Sequence, residues 1–175
     1  MSPSVIIRPA GPDDTAAIAD LHERAMGPGR FARTAYRLRE GARRAFSPFC
    51  RVCLIDGRLV AAVRFTEVAI GGTEGARLLG PLAVDPAFAN RGHGRGLVAG
   101  ALEDARAAGI AVVVLVGDEP YYGRLGFRRV PRGQIVLPGP VDPDRLLAAE
   151  LIPGALAGFA GRMTGQSGES AFHAM

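Results

Sequence analysis

The chain has 175 residues, 48% of them hydrophobic, and a formal charge of +4; this is enough for one sizeable core and too little for two, so a single domain over 1–175 is expected, with its ordered part over about 4–163. All 21 basic residues are arginine, and the lack of lysine excludes a Walker phosphate loop, a pyridoxal Schiff base and a protein kinase, each of which needs a lysine amine. No apolar run approaches the ~20 residues of a membrane span and the first residues carry no secretory leader, which predicts a cytoplasmic protein without a membrane partner.

Residues 5–8 are predicted to form a strand. Pro12-Asp13-Asp14 opens a helix in which Ile18, Leu21, His22 and Ala25 recur at helical spacing, and Gly27-Pro28-Gly29 ends it. A second helix is expected over 30–45. Residues 51–56 and 58–69 are two strands joined by Asp56-Gly57, a tight-hairpin signal, and 76–84 is a third, folded back across Gly71-Gly72. Cys50 and Cys53 stand in C-R-V-C at the head of the first of these strands, whereas His22, His93 and His173 are scattered. That pattern offers neither four metal ligands at paired spacing nor a redox helix, so both are read as ordinary thiols of a reducing compartment, with no metal. Residues 97–108 have the spacing of a helix packed on a sheet and Gly109 caps it, while 110–116 is an apolar run suited to a strand covered on both faces. A short helix over 121–125, a strand over 127–130 and another over 146–163, broken by Pro153-Gly154, complete an α/β alternation. Residues 164–175, rich in Gly and Ser, read as a loose tail.

The loop Arg91-Gly92-His93-Gly94-Arg95-Gly96 lies between the strand ending at Val84 and the helix. Glycine at 92, 94 and 96 permits backbone conformations that turn several N–H groups toward one point, and the helix start adds the positive end of its dipole, so a ligand with phosphates is expected there. Residues 94–99 also fit the dinucleotide fingerprint G-x-G-x-x-A, with Asp118 at the end of the next strand. Against that reading, residues 85–92 separate the glycines from the strand, and only one strand-helix-strand unit follows.

Together with G-D-E-P-Y-Y-G-R-L-G-F at 117–127, the R-x-x-G-x-G of 91–96 resembles the GNAT superfamily of acetyl-CoA-dependent N-acetyltransferases. The V-D-P before the loop and the Y-x-x-x-G-F ending are similar to that family, and L-x-P-G-A-L-x-G from Leu151 is similar to a bacterial subgroup of predicted acetyltransferases. The resemblance implies an α/β (α+β) fold, with a mixed central sheet splayed between two central strands and helices on both faces. It further implies transfer of acetyl from acetyl-CoA to a primary amine of a small molecule or peptide, by direct attack in a ternary complex. Leu82, Ala83 and Val84 would pair with the pantetheine arm beside a ladder that Pro81 helps to break, and Arg91, Gly92, His93, Gly94, Arg95 and Gly96 would hold the diphosphate.

The implied reaction sets three tasks: deprotonating the amine, stabilising the oxyanion and protonating the thiolate. A backbone N–H near residues 82–84 suits the oxyanion. Tyr122 occupies the family's position for the acid that protonates sulfur, with Tyr121 as the alternative and aromatic packing on Phe127 as the other reading of the pair. Residues 76–84 carry no acid, so the base falls to Glu67, to Asp118 or Glu119, or to a chain of waters, with Glu67 preferred. The segment holding Arg30, Arg33, Arg37, Arg39, Arg43 and Arg44 would wall the acceptor site, either attracting an acidic acceptor or facing solvent. Aromatics are not interleaved there as single-strand binding requires, so no nucleic-acid partner is expected. A CoA-binding or sensing module of the same fold with little catalysis is the alternative function, and a homodimer stays open.

Overall fold

The computed structural model describes residues 2–26 and 47–165. Strand β1 (Val5–Pro9) is antiparallel to β2 (Arg51–Ile55), and α1 (Thr15–Met26) follows a single 3-10 turn at Pro12–Asp14. That turn forms because the Asp14 carboxylate accepts the Gly11 N–H at 2.9 Å while both amino groups of Arg8 donate to it at 2.8 Å, tying β1 to the start of the helix. The second helix expected over 30–45 and the stop at 27–29 lie outside the described residues.

Strands β2, β3 (Arg58–Ile70) and β4 (Thr73–Val84) form an antiparallel meander. Asp56 and Gly57 have φ of 48° and 80°, and Gly71 and Gly72 have 57° and 81°. Two successive positive angles are the type I′ geometry that matches strand twist, so both expected hairpins are present. Helix α2 (His93–Ala107) buries Leu97, Val98, Ala101, Leu102 and Ala105, each Leu or Val contributing roughly 1.5–3 kcal/mol. It ends at Gly109, φ 83°, where Ile110 N–H reaches the Ala105 carbonyl and Gly109 N–H the Arg106 carbonyl, closing the last turn.

Strand β5 (Val112–Val116) is parallel to β4, and β8 (Leu146–Glu150) runs antiparallel along the whole of β5. Between them in sequence come α3 (Glu119–Tyr122), the short β6 (Arg128–Arg129) at the outer edge and β7 (Ile135–Val136). The strand order is β1-β2-β3-β4-β5-β8-β6. The single strand predicted over 146–163 is instead two: after β8, a left-handed Gly154 and a 3-10 turn at Ala155–Gly158 redirect the chain into β9 (Gly161–Gly165), which pairs with β3 and β7. Thr164 and Gly165, expected in the tail, therefore belong to the sheet opposite Ala69 and Val68; the rest of that tail lies outside the described residues.

The two faces of the sheet differ. The α2 face carries one continuous apolar cluster that includes Cys53, Phe65, Leu79, Leu97, Leu115, Phe127 and Leu147. The opposite face carries two: Leu21, Val52, Leu59, Ala62 and Ala83 with α1, and Val68, Leu78, Val114, Ile135, Phe159 and Met163 with the C-terminal segment. Cys50 and Cys53 are buried free thiols, and burial pushes the Cys53 thiol up. Among the described residues no helix is long and apolar enough to cross a membrane.

Candidate active site

Strands β4 and β5 pair only at Ala76, Arg77 and Leu78, opposite Val112, Val113 and Val114. The reason lies in β4. Val63 faces Leu82 but Phe65 faces Leu79, so Gly80 and Pro81 together oppose the single residue Arg64 and form a bulge. Gly80 has φ 139°, a conformation that a side chain resists, and Pro81 supplies no donor. While β4 bends away, β5 continues straight beside β8 as far as Val116 opposite Leu146, and an opening results. Asp85 N–H donates to the Val60 carbonyl at 2.8 Å. Antiparallel alternation then turns the main chain of Ala83 toward β3 and that of Leu82 and Val84 into the opening. Of the three residues expected on the cofactor arm, Leu82 and Val84 line the opening, whereas Ala83 packs its methyl with α1.

The loop departs from the predicted register. Helix α2 begins at His93, four residues before the expected Leu97. Of the three glycines only Gly92, φ 85°, is left-handed, and the second left-handed residue is Asn90, φ 62°. Gly96 N–H already donates to the Gly92 carbonyl at 3.0 Å, so its amide is committed within the helix. The first-turn amides left without an intrahelical acceptor are those of His93, Gly94 and Arg95, so within 91–96 the free helical donors stand at 93–95 and Gly96 is not among them. Asn90 was not singled out from the sequence, although Asn is the non-glycine residue most tolerant of this conformation.

Gly94 is buried for a steric reason. A Cβ built there would lie 2.8 Å from Tyr121 Oη, 3.2 Å from Val84 Cγ2 and 3.4 Å from Leu82 Cδ2, so the tyrosine, the strand edge and the helix start converge on it. Beside Gly96 there is open space. The Arg95 guanidinium lies 5.1 Å from the centre of the Tyr121 ring, and that of Arg91 lies 5.3 Å from Phe88. Asp85, the acid of V-D-P, fastens the start of the loop. Its buried carboxylate accepts Ala87 N–H at 2.9 Å, Arg58 at 3.1 Å and Arg24 at 3.3 Å. The Ala87 amide first, then the two guanidinium groups, hold its pKa below the usual carboxylate range.

Helix α3 crosses from the end of β5 to the start of α2. The Tyr122 ring lies over Gly117, where a Cβ would come within 2.6 Å of Cε2, and meets Phe127 edge-on at 5.8 Å. Tyr121 meets Tyr122 edge-on at 4.8 Å, and burial pushes its phenol pKa up. The structure thus brings Tyr122, Tyr121, Leu82, Val84 and the first turn of α2 together around the opening. Glu67 is elsewhere: it stands opposite Arg77, at the level of Val113 where β4 and β5 are still paired. Gly117 lies four residues further along β5, about 13 Å at the usual rise per residue. Glu67 is held instead 4.0 Å from the Arg77 guanidinium. Asp118 and Glu119 pair with Arg145 at 3.2 Å and Arg129 at 3.6 Å. No three His, Cys, Asp or Glu among the described residues gather into a metal site.

Residues 6–130 match the acetyltransferase (GNAT) domain model. The N-acetyltransferase YhbS of Escherichia coli is 31% identical over 129 residues, 70% of this chain and 73% of that protein. The crystal structure of E. coli YhbS in complex with CoA superposes with a TM-score of 0.80 at 27% identity, covering 94% of this chain and 91% of that one. A GNAT acetyltransferase from Brucella melitensis in complex with acetyl-CoA reaches 0.62 at 29% identity, covering 87% and 98%. A splayed sheet, a donor turn at its mouth and 125 matched residues (6–130) lead to one assignment: this chain belongs to the GNAT family of acetyltransferases.

Proposed function

We propose that the chain transfers acetyl from acetyl-CoA to a primary amine of a small molecule or peptide, by direct attack while both are bound, as one domain working in the cytoplasm. The observation that carries this is the convergence on Gly94 of the strand edge at Leu82 and Val84, the donor turn of α2 and Tyr121 of α3, with Tyr122 beside it over Gly117. The unpaired main chain of Leu82 and Val84 suits an extended amide-bearing arm continuing the ladder that β5 leaves. The amides of His93, Gly94 and Arg95 suit a diphosphate, with the Arg91 and Arg95 guanidinium groups adding positive charge. A Cβ at Gly94 would crowd this cradle, which fits a ligand needing close backbone approach. CoA and acetyl-CoA in the YhbS and Brucella structures support the same ligand.

Bound acetyl-CoA supplies an activated acetyl group and a thiolate leaving group. The chain's residues do the rest. A main-chain amide of Leu82 or Val84 presents its dipole to the carbonyl oxygen, and Tyr122, on the opposite wall, gives its hydroxyl proton to the departing sulfur. With Glu67 beside Arg77 and away from Tyr122, the amine releases its proton to water. Calorimetry with CoA and acetyl-CoA, followed by thiol release with polyamines, amino acids, aminoglycosides and peptides, tests the reading. Heat with thiol release is expected. Heat without thiol from any amine would favour the binding or sensing module, and no heat with either coenzyme would overturn the assignment of the cradle.

A further inference from the structure

The faces of the sheet indicate where the acceptor enters. The α2 face is closed by one apolar cluster, and Tyr122 packs against that cluster. On the other face the cluster with α1 reaches Ala62 on β3, and the cluster with the C-terminal segment resumes at Val68. By strand alternation the positions between them on this face are Arg64 and Thr66. Arg64 opposes the Gly80-Pro81 bulge, and Thr66 is in register with Leu78, the last residue at which β4 touches β5. The interruption between the two apolar clusters therefore coincides with the vertex of the opening.

Thr66 is 3% exposed, and its Oγ1 is buried with no hydrogen-bond partner among the described residues. A buried hydroxyl of this kind destabilises a fold unless something satisfies it. On this face Thr66 stands between Arg64 and the apolar Val68, with the apolar Leu78 opposite it on β4, and valine would fit the same volume without that cost.

We propose that the Thr66 hydroxyl is the floor contact for the acceptor: it accepts an N–H of the entering primary amine and so aims the nitrogen lone pair at the thioester from the face opposite Tyr122. This rests on the acetyl-transfer reading above. The sulfur leaves toward the α2 face while the amine arrives from the other, which keeps nucleophile and leaving group on opposite sides of the carbonyl carbon. The amine loses one proton to water after attack, the thiolate takes the Tyr122 proton, and water returns a proton to the Tyr122 phenolate, so the step balances without a further reactant.

Thr66→Val and Thr66→Ser test this, with the amine that the native protein acetylates best. Thr66→Val should lower kcat/KM for the amine about three- to tenfold, the range expected from one lost neutral hydrogen bond. Its calorimetric affinity for CoA should stay within twofold, and its melting temperature should be unchanged or higher. Thr66→Ser, which keeps the hydroxyl, should recover most of kcat/KM despite the lost methyl. A merely structural hydroxyl would give the reverse pattern, a lower melting temperature in Thr66→Val with native kcat/KM, and would overturn the proposal. Equal loss in both variants would overturn it as well, since it would point to the methyl. If the native protein itself bound CoA but acetylated no amine, the acetyl-transfer reading would fail and this inference with it; a native protein that acetylates an amine equally well as Thr66→Val would sink this inference alone.

Discussion

The three loop glycines should separate cleanly when each is replaced by alanine, because each is glycine for a different reason. Gly96 sits in helical backbone with nothing within 4 Å of a built Cβ, and its amide is already bonded to Gly92. Alanine there gains about 0.5–1 kcal/mol of helix propensity, or about 1–4 °C in Tm for a chain of this size, and should leave CoA affinity within twofold. Gly92 has φ 85°, so alanine costs about 1–2 kcal/mol and lowers Tm by about 2–8 °C. Gly94 is the informative position. Its backbone is not left-handed, so helix propensity favours alanine, but the new methyl would sit 2.8 Å from Tyr121 Oη and 3.2 Å from Val84 Cγ2. The phenol has to shift, carrying the ring on which Arg95 rests, and the methyl intrudes where the proposed diphosphate would meet the backbone. Helix gain and crowding, each about 1 kcal/mol, nearly cancel in Tm, while the CoA dissociation constant should rise about tenfold or more. Differential scanning calorimetry and titration calorimetry on the three variants give both readouts. If Gly96→Ala weakened CoA binding as much as Gly94→Ala, the donor cluster would span 91–96 after all and the convergence on Gly94 would carry no weight.

Tyr122→Phe keeps the ring on Gly117 and Phe127 but removes the hydroxyl, so turnover should fall at least tenfold with CoA affinity nearly unchanged; an unaltered rate would remove this residue from the mechanism. Glu67→Gln should keep kcat/KM within about twofold across the pH range because the carboxylate stands beside Arg77 rather than Tyr122, and a large loss with an altered pH profile would restore it as the base. Asp14 and Asp85 have folded-state pKa values below the unfolded value of about 3.9, the first chiefly through Arg8 and the second chiefly through the Ala87 amide. Groups shifted in this direction contribute stability that is complete above the unfolded value and lost as pH falls through the folded one. Melting temperature should therefore drop below about pH 4, and Asp14→Asn should make that drop shallower; an unchanged acid limb would show that the Arg8 pair does not set it.

Local chemistry made most of the sheet legible, since the Asp56-Gly57 and Gly71-Gly72 pairs can take two positive φ angles in succession and the apolar run before Gly117 suits a strand covered on both faces. The position of Tyr122 beside the opening was legible because its spacing to Gly126 and Phe127 is local; its role stays a proposal. What could not be read depends on distant partners. Helix α2 starts four residues before its sequence signal because His93-Gly94-Arg95-Gly96 has poor helix propensity, and the packing of Gly94 under Tyr121 and of Leu97 against the sheet makes it helical. Glu67 looked well placed at the end of a strand, but strand position does not reveal which level of the sheet still pairs with β5. β7 and β9, of two and five residues, hold each other across a separation of about 25 residues and carry no periodicity long enough to count.

A strand edge inside a sheet is ordinarily a liability, because unpaired N–H and C=O groups there favour register slips and unwanted pairing. Here Leu82 and Val84 keep such an edge open, and the structure fixes it from both ends. The bulge at Gly80-Pro81 sets the angle at which β4 leaves β5, and Asp85, one residue past Val84, bonds the loop to Arg24 of α1 and Arg58 of the β2–β3 hairpin. The edge and the α2 amides therefore stand at a fixed separation before any ligand arrives, and the proposed cofactor arm, joining them, would lose little to reorganisation of the protein. The same geometry is consistent with the proposed acid standing on so short an element: the Tyr122 ring is held against Gly117 and Phe127, and a ligand held at both ends of its path would need no more from it.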